Sequence, residues 1–346
     1  MYYRDNELPI FKSVYSKYII DYIKHMRANG FKCNSTTCYL FLRFDKFLIE
    51  NGYDLKTPVD KIIDEWLMLF NTISLSSKKN YYNIIYSFFV YFCKINSKNI
   101  PERLFFKKEE RFIPYIFDDN EINKLFKKAY DQIPDTGDKI TYQSFYCLLC
   151  LYYGCGLRKN EALNLKVKDY NLETGVITIW KSKNNVSRII PLSESINKNI
   201  LILMETNSYS DNDDFIFREH KQKKFRTHVL YKMFKDLLKK AGIPLRFDGK
   251  SQRIHDMRHT FAINALKQLE IKGYDTYASL PLLSVYMGHK SVLETEYYLK
   301  FTKSEYEDVI KKINEYSCNI YNNEVEYEEW FHSLFNKVFC RTSSFD

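Results

Sequence analysis

Apolar residues along the first hundred positions recur with the period of an α-helix. Phe11, Val14, Tyr15, Tyr18, Ile19, Tyr22, Ile23 and Met26 follow i, i+3, i+4 spacing, and Gly30 offers a C-terminal stop. A second helix starts after Ser35 and ends near Gly52. Thr57 and Pro58 supply an N-cap and a first-turn proline for a third helix through Phe70, and a fourth runs from about Ser77 to Lys94. Each helix has one apolar face to bury, so residues 8–98 are expected to form a compact helical domain.

Pro101 and Pro114 interrupt helical periodicity, and Lys107, Lys108 and Arg111 lie between them. Residues 99–111 therefore read as a linker. Beyond it, helical patterns dominate again across residues 112–318, broken by a hairpin-like segment. There Val176 to Trp180 and Ser187 to Pro191 alternate as strands around Lys181-Ser182-Lys183-Asn184-Asn185. The expected fold is mainly α with a small β-sheet, in two domains followed by a tail helix over 319–346.

Charge sharpens this division. The chain has 346 residues and a formal charge of +9, and residues 1–105, 106–304 and 305–346 carry +5, +9 and −5. A basic body with an acidic tail suits a polyanionic partner for the body and a protein surface for the tail, and equally a solvated asymmetry. Apolar runs such as Ile84 to Phe92 are too short to span a membrane, and no signal peptide opens the sequence, so a cytoplasmic protein is expected. Cys147, Cys150 and Cys155 sit in an apolar helix, and no Cys/His cluster completes a four-ligand metal set; buried reduced thiols are expected.

Five segments of the second domain carry groups suited to a phosphodiester. Gly154-Cys155-Gly156-Leu157-Arg158 makes a turn from which Arg158 projects, with Glu161 one helical turn on to hold it. Lys183 lies between the two strands. His255-Asp256-Met257-Arg258-His259 opens a helix, placing an imidazole and a guanidinium three residues apart on one face. Gly288-His289 follows a short apolar helix, and Tyr297-Tyr298 falls on the next. Individually each has a bland reading: a surface ion pair, a solvated lysine, a core tyrosine.

Their order and spacing carry more information. Gly-Leu-Arg158-x-x-Glu161, Lys183 ahead of Pro191, His255-x-x-Arg258-His259, Gly288-His289, and Tyr298 nine residues after His289 together resemble the tyrosine recombinases of the Xer, Cre and lambda-integrase kind. That resemblance implies a two-domain DNA clamp and a site-specific recombinase that cuts and rejoins DNA through a 3′-phosphotyrosine at Tyr298, with neither metal nor ATP as cofactor. It implies that Arg158, Arg258 and His289 steady the phosphate oxygens, that Lys183 protonates the leaving 5′ oxygen, and that His255 assists proton movement at the nucleophile. Surrounding positive charge is expected to ease ionisation of Tyr298. The implied partners are double-stranded DNA and further copies of the chain, four on two DNA sites.

Lys181 and Tyr297 are rivals for Lys183 and Tyr298, although Tyr297 points about 100° away on a helix. Met287 and Glu294-Thr295 depart from the common pattern around Gly-His without removing a catalytic group. With so few residues ahead of the first helix, a two-domain layout without an extra arm-binding domain is expected. Alternative readings are a type IB topoisomerase-like enzyme, which usually has lysine at the position of His255, and a catalytically silent DNA-binding accessory protein. A metal-dependent nuclease would need clustered carboxylates, and Asp213-Asp214 lacks a third acid at a recognisable spacing. In the tail, Val325, Tyr327, Trp330, Phe331, Leu334, Phe335, Val338 and Phe339 form an apolar stripe, to be buried on a neighbouring protomer or on its own domain.

Overall fold

The computed structural model describes residues 8–302, apart from 32, 34, 108–112, 181–186, 221, 222 and 247. Lys183, its rival Lys181 and the tail 319–346 lie outside the described residues. The chain divides into two compact units, Met1–Phe112 and Ile113–Asp346.

The first unit contains α1 (Ser16–Ala28), α2 (Ser35–Glu50), α3 (Val59–Met68) and α4 (Leu75–Ile95). Its core is strongly aromatic. Trp66 packs at 5.1 Å from Phe44, 5.3 Å from Phe47 and 4.9 Å from Phe70, while Tyr15 lies edge-on to Phe88 and Phe89. Each such ring contributes roughly 1.5–3 kcal/mol by leaving water. The first helix begins later than its apolar period suggests. The buried Asp45 carboxylate accepts from the backbone amides of Lys12 (2.8 Å) and Ser13 (3.0 Å), so Phe11 and Tyr15 enter the core from a turn. At α3 the N-cap is Pro58, because the Thr57 hydroxyl is engaged by the Asp54 carboxylate at 2.8 Å. Ser74 caps α4 by accepting from the Ser77 amide, which moves that helix's start forward by two residues.

The second unit runs α5 (Asp119–Tyr130), α6 (Lys139–Gly154), α7 (Lys159–Leu163), β1 (Tyr170–Asn171), β2 (Val176–Ile179), β3 (Arg188–Pro191), α8 (Glu194–Thr206), α9 (Thr227–Lys240), α10 (Ile254–Ile271), α11 (Thr276–Met287) and α12 (Val292–Thr302). The strands form one antiparallel sheet in the order β1-β2-β3, with Ile177 opposite Ile190 and Ile179 opposite Arg188. The two-residue strand β1 escapes sequence analysis because it is too short for alternation to register.

Helix α6 is apolar on nearly every side and lies buried, packed against α8 and α10. Cys147, Cys150 and Cys155 are part of this core, and burial pushes the Cys147 thiol up to about 12. Helix α10 touches α6, α11 and α12 and so joins the three segments that carry the candidate chemistry. Among the described residues no helix is long and apolar enough to cross a membrane.

Candidate active site

Arg158 is the N-cap of α7, with an extended backbone. Gly156 makes this turn possible. Its φ is +58°, and an added Cβ would stand 2.3 Å from the Phe261 ring, so both the backbone conformation and the packing against α10 demand glycine. Glu161, one turn into α7, accepts from the Arg158 amide and from its Nη1, each at 2.9 Å. The sequence expectation that Glu161 holds Arg158 is met by this geometry.

Glu161 also carries a second guanidinium. Arg188, at the start of β3, donates to both its carboxylate oxygens, at 3.1 and 2.7 Å. Burial by itself would push the Glu161 carboxyl up; the hydrogen bonds and charge of Arg188, followed by those of Arg158, outweigh it and hold the group down to about 2. Arg188 was not singled out in the sequence. Its only local signal is a basic residue opening an apolar strand.

Arg258, on α10, is almost fully buried at 1% exposure. It donates to the Gly156 carbonyl, to the Met287 carbonyl at 2.8 Å and to His289 Nε2 at 3.0 Å. Arg158 in turn donates to the Gly288 carbonyl. Two guanidiniums therefore occupy neighbouring carbonyls at the C-terminus of α11, where a helix leaves its last acceptors unmatched and its dipole is negative. Gly288 closes α11 in the left-handed region, with φ +66°. A Cβ there would meet Arg188 Nη1 at 2.9 Å and Arg158 Nη1 at 3.2 Å, so its bare backbone lets the guanidiniums approach.

The hydrogen bonds of His289 determine its tautomer. A guanidinium only donates, so Nε2 accepts from Arg258, and in the neutral ring Nδ1 carries the proton and donates to Thr295 Oγ1 at 2.7 Å. Burial, and then the charges of Arg258, Arg158 and Arg188, hold the His289 pKa down to about 3, which keeps the ring neutral. Thr295, fully buried on α12, is a second residue that the sequence did not single out.

Tyr298, also on α12, is 3% exposed and its ring lies 6.2 Å from that of His289. Its hydroxyl meets His259 Nδ1 at 3.0 Å. His255 stands one turn before His259, exposed at the surface, and reaches this group through an edge-on ring contact with His259 at 4.7 Å. Tyr297 is half-buried beside Tyr298. Positive charge from Arg258 and Arg158 does favour ionisation of Tyr298, as expected, but it does not set the net direction. Burial raises its pKa and outweighs the lowering by Arg258 and Arg158. Arg158, Arg258, His289 and Tyr298 thus come together, with His255 at their edge and Lys183 outside the described residues.

Arg158 and Arg188 share one carboxylate and Arg258 bonds only neutral acceptors, so this largely buried cluster has excess positive charge suited to an anion. The chain belongs to the phage integrase family, whose model matches residues 116–305, and it is accordingly a tyrosine recombinase, one of the enzymes that break and rejoin DNA strands. It is 29% identical over 204 residues to the putative integrase/recombinase y4rB of Sinorhizobium fredii, spanning 58% of this chain and 65% of that one. To the tyrosine recombinase XerA of Pyrococcus furiosus it is 25% identical over 88% of this chain and 96% of XerA. Among solved structures it resembles the XerH site-specific recombinase bound to palindromic difH substrate in a post-cleavage complex, with a TM-score of 0.58 and 26% identity over 79% of this chain and 77% of XerH.

Proposed function

We propose that the protein is a site-specific recombinase that cuts duplex DNA through a 3′-phosphotyrosyl intermediate at Tyr298, without metal or ATP. The observation that carries this reading is the placement of the Tyr298 ring beside His289, which is itself bonded to Arg258. The post-cleavage complex of XerH with its DNA substrate supports it. The Tyr298 oxygen attacks phosphorus, the bond to the 5′ oxygen breaks, and negative charge gathers on the non-bridging oxygens. Arg158 and Arg258 are the fixed cations that stabilise this charge, and fixed cations in a site closed to water are worth several kcal/mol at such a transition state. His289 holds Arg258. For His289 to donate to phosphate as well, a proton must sit on Nε2, and the negative charge of a bound phosphate favours that. Lys183 is proposed as the acid that protonates the 5′ oxygen, and His255 as an aid to proton movement.

The test is a nicked suicide duplex, from which the short cleaved strand diffuses away and traps the protein on DNA. A covalent adduct is expected in EDTA without ATP, because the arginines take the place of a metal and the phosphotyrosine conserves the energy of the broken bond. Strict dependence of cleavage on Mg²⁺ overturns the mechanism.

We further propose that four protomers assemble on two sites and that the tail 319–346 makes contact between them. Its apolar stripe needs a surface, and the −5 charge of residues 305–346 suits a basic protein rather than phosphate. Deleting residues 322–346 is expected to spare binding of one protomer to a half-site, seen by gel shift, while recombination falls at least tenfold. Full recombination by the shortened protein rules this contact out.

A further inference from the structure

Resting on the reading of Tyr298 as nucleophile, we propose that His259 is the group that takes the proton from the Tyr298 hydroxyl as the tyrosine attacks DNA. Its Nδ1 lies 3.0 Å from that hydroxyl, within direct transfer distance. His255 lies one helical turn before His259 and is more exposed, and its ring meets that of His259 edge-on.

The phenol needs such a partner. It is 3% exposed, so water has little access to it, and burial holds its pKa above the ordinary value despite the neighbouring guanidiniums. An acceptor already aligned on the hydroxyl gives the proton a path without admitting solvent. Burial, followed by the charges of His255 and Arg253, keeps the His259 pKa down to about 3, so the ring is neutral, and in the tautomer with its proton on Nε2 the Nδ1 lone pair accepts from the Tyr298 hydroxyl. Such a ring is a weak base while DNA is absent. A scissile phosphate brings negative charge into the same cluster, and that charge favours the imidazolium produced by transfer.

The step balances. The oxygen of Tyr298 bonds to phosphorus, its proton moves to His259 Nδ1, and the 5′ oxygen leaves with a proton supplied from the other side of the phosphate. Rejoining runs the same transfers backward: the 5′ hydroxyl attacks, Tyr298 leaves, and His259 returns the proton. His259 thereby acts as base in cleavage and acid in rejoining.

The position on the nucleophile side gives the experiment. Single-turnover adduct formation is measured for His259→Ala and His259→Asn on two nicked duplexes, one with an ordinary scissile phosphate and one with sulfur replacing the bridging 5′ oxygen. A thiolate leaves without an acid, so the sulfur substrate relieves defects of the leaving-group side only. Both variants are expected to bind DNA like the parent and to form adduct ~10²-fold more slowly on both substrates, with added imidazole raising the rate of His259→Ala. Asparagine offers an oxygen near the place of Nδ1 and can hold the hydroxyl but cannot take its proton; it also keeps the test available should alanine disturb the fold. Parental rates in either variant, or rescue by the sulfur substrate, overturn the proposal. Tyr298→Phe run alongside separates the two readings. An adduct in that variant removes the nucleophile assignment itself, whereas no adduct there with parental rates in both His259 variants removes only the role of His259.

Discussion

Tyr298→Phe is expected to abolish the covalent protein–DNA adduct while leaving DNA binding near the parental level. The substitution deletes one oxygen and keeps the ring that packs beside His289 and Tyr297. Loss of the hydrogen bond to His259 costs stability by only about 1 kcal/mol. Loss of the attacking atom costs the reaction itself, on the order of 10⁴-fold or more, since phenylalanine carries no oxygen to bond phosphorus. Adduct formation on a nicked duplex measures the first effect, and a gel shift on the same DNA measures binding. An undiminished adduct in Tyr298→Phe rejects the assignment and turns attention to Tyr297, whose ring is already half-exposed beside it.

The contrast between those two tyrosines shows what sequence can carry. The nine-residue step from His289 to Tyr298 is legible through the resemblance to tyrosine recombinases, since the residues alone leave either tyrosine a core residue. Arg158 at a helix start is legible because the glycine turn ahead of it is set by local backbone geometry. Arg188 was not, because its importance lies in meeting Glu161 across 27 residues of chain, and a basic residue at a strand end looks the same whether it faces solvent or a carboxylate. Thr295 matters through its hydroxyl's contact with His289 Nδ1, which its residue type alone does not reveal. His259 was visible inside its motif, yet whether His255 or His259 faces the tyrosine depends on how deeply α10 is buried. The easing of Tyr298 ionisation by nearby cations is legible, but the larger opposing effect of burial is not, on the same ground. Counting nearby cations overlooked the desolvation that a packed α12 imposes.

Glu161→Ala is expected to lower both stability and cleavage more than any other single change outside the reacting groups. Its side chain is 7% exposed and stands between Arg158 and Arg188, with Arg188 bonded to both oxygens. Removing the carboxylate leaves two largely buried guanidiniums facing each other across an unfilled space. Breaking a buried pair in this way costs about 3–5 kcal/mol, far more than the intact pair contributes against an apolar substitute. Cleavage falls too, because Arg158 loses the contact that fixes its orientation against the Gly288 carbonyl. The pH dependence isolates the charge. Arg188 and Arg158 overcome the effect of burial and hold the folded-state carboxyl at about 2, against an ordinary value of 4.5, so its contribution is complete above the higher figure. That contribution is lost as pH falls through the interval between them, since the unfolded chain binds the proton first. Glu161→Gln mimics the protonated group in shape. In denaturant titrations the parent should exceed Glu161→Gln in stability at pH 7, and the gap should narrow steadily from pH 4.5 toward pH 2. A gap that stays constant over that range, or a Glu161→Ala protein with parental stability and cleavage, would show that this carboxylate does not hold the two guanidiniums in place.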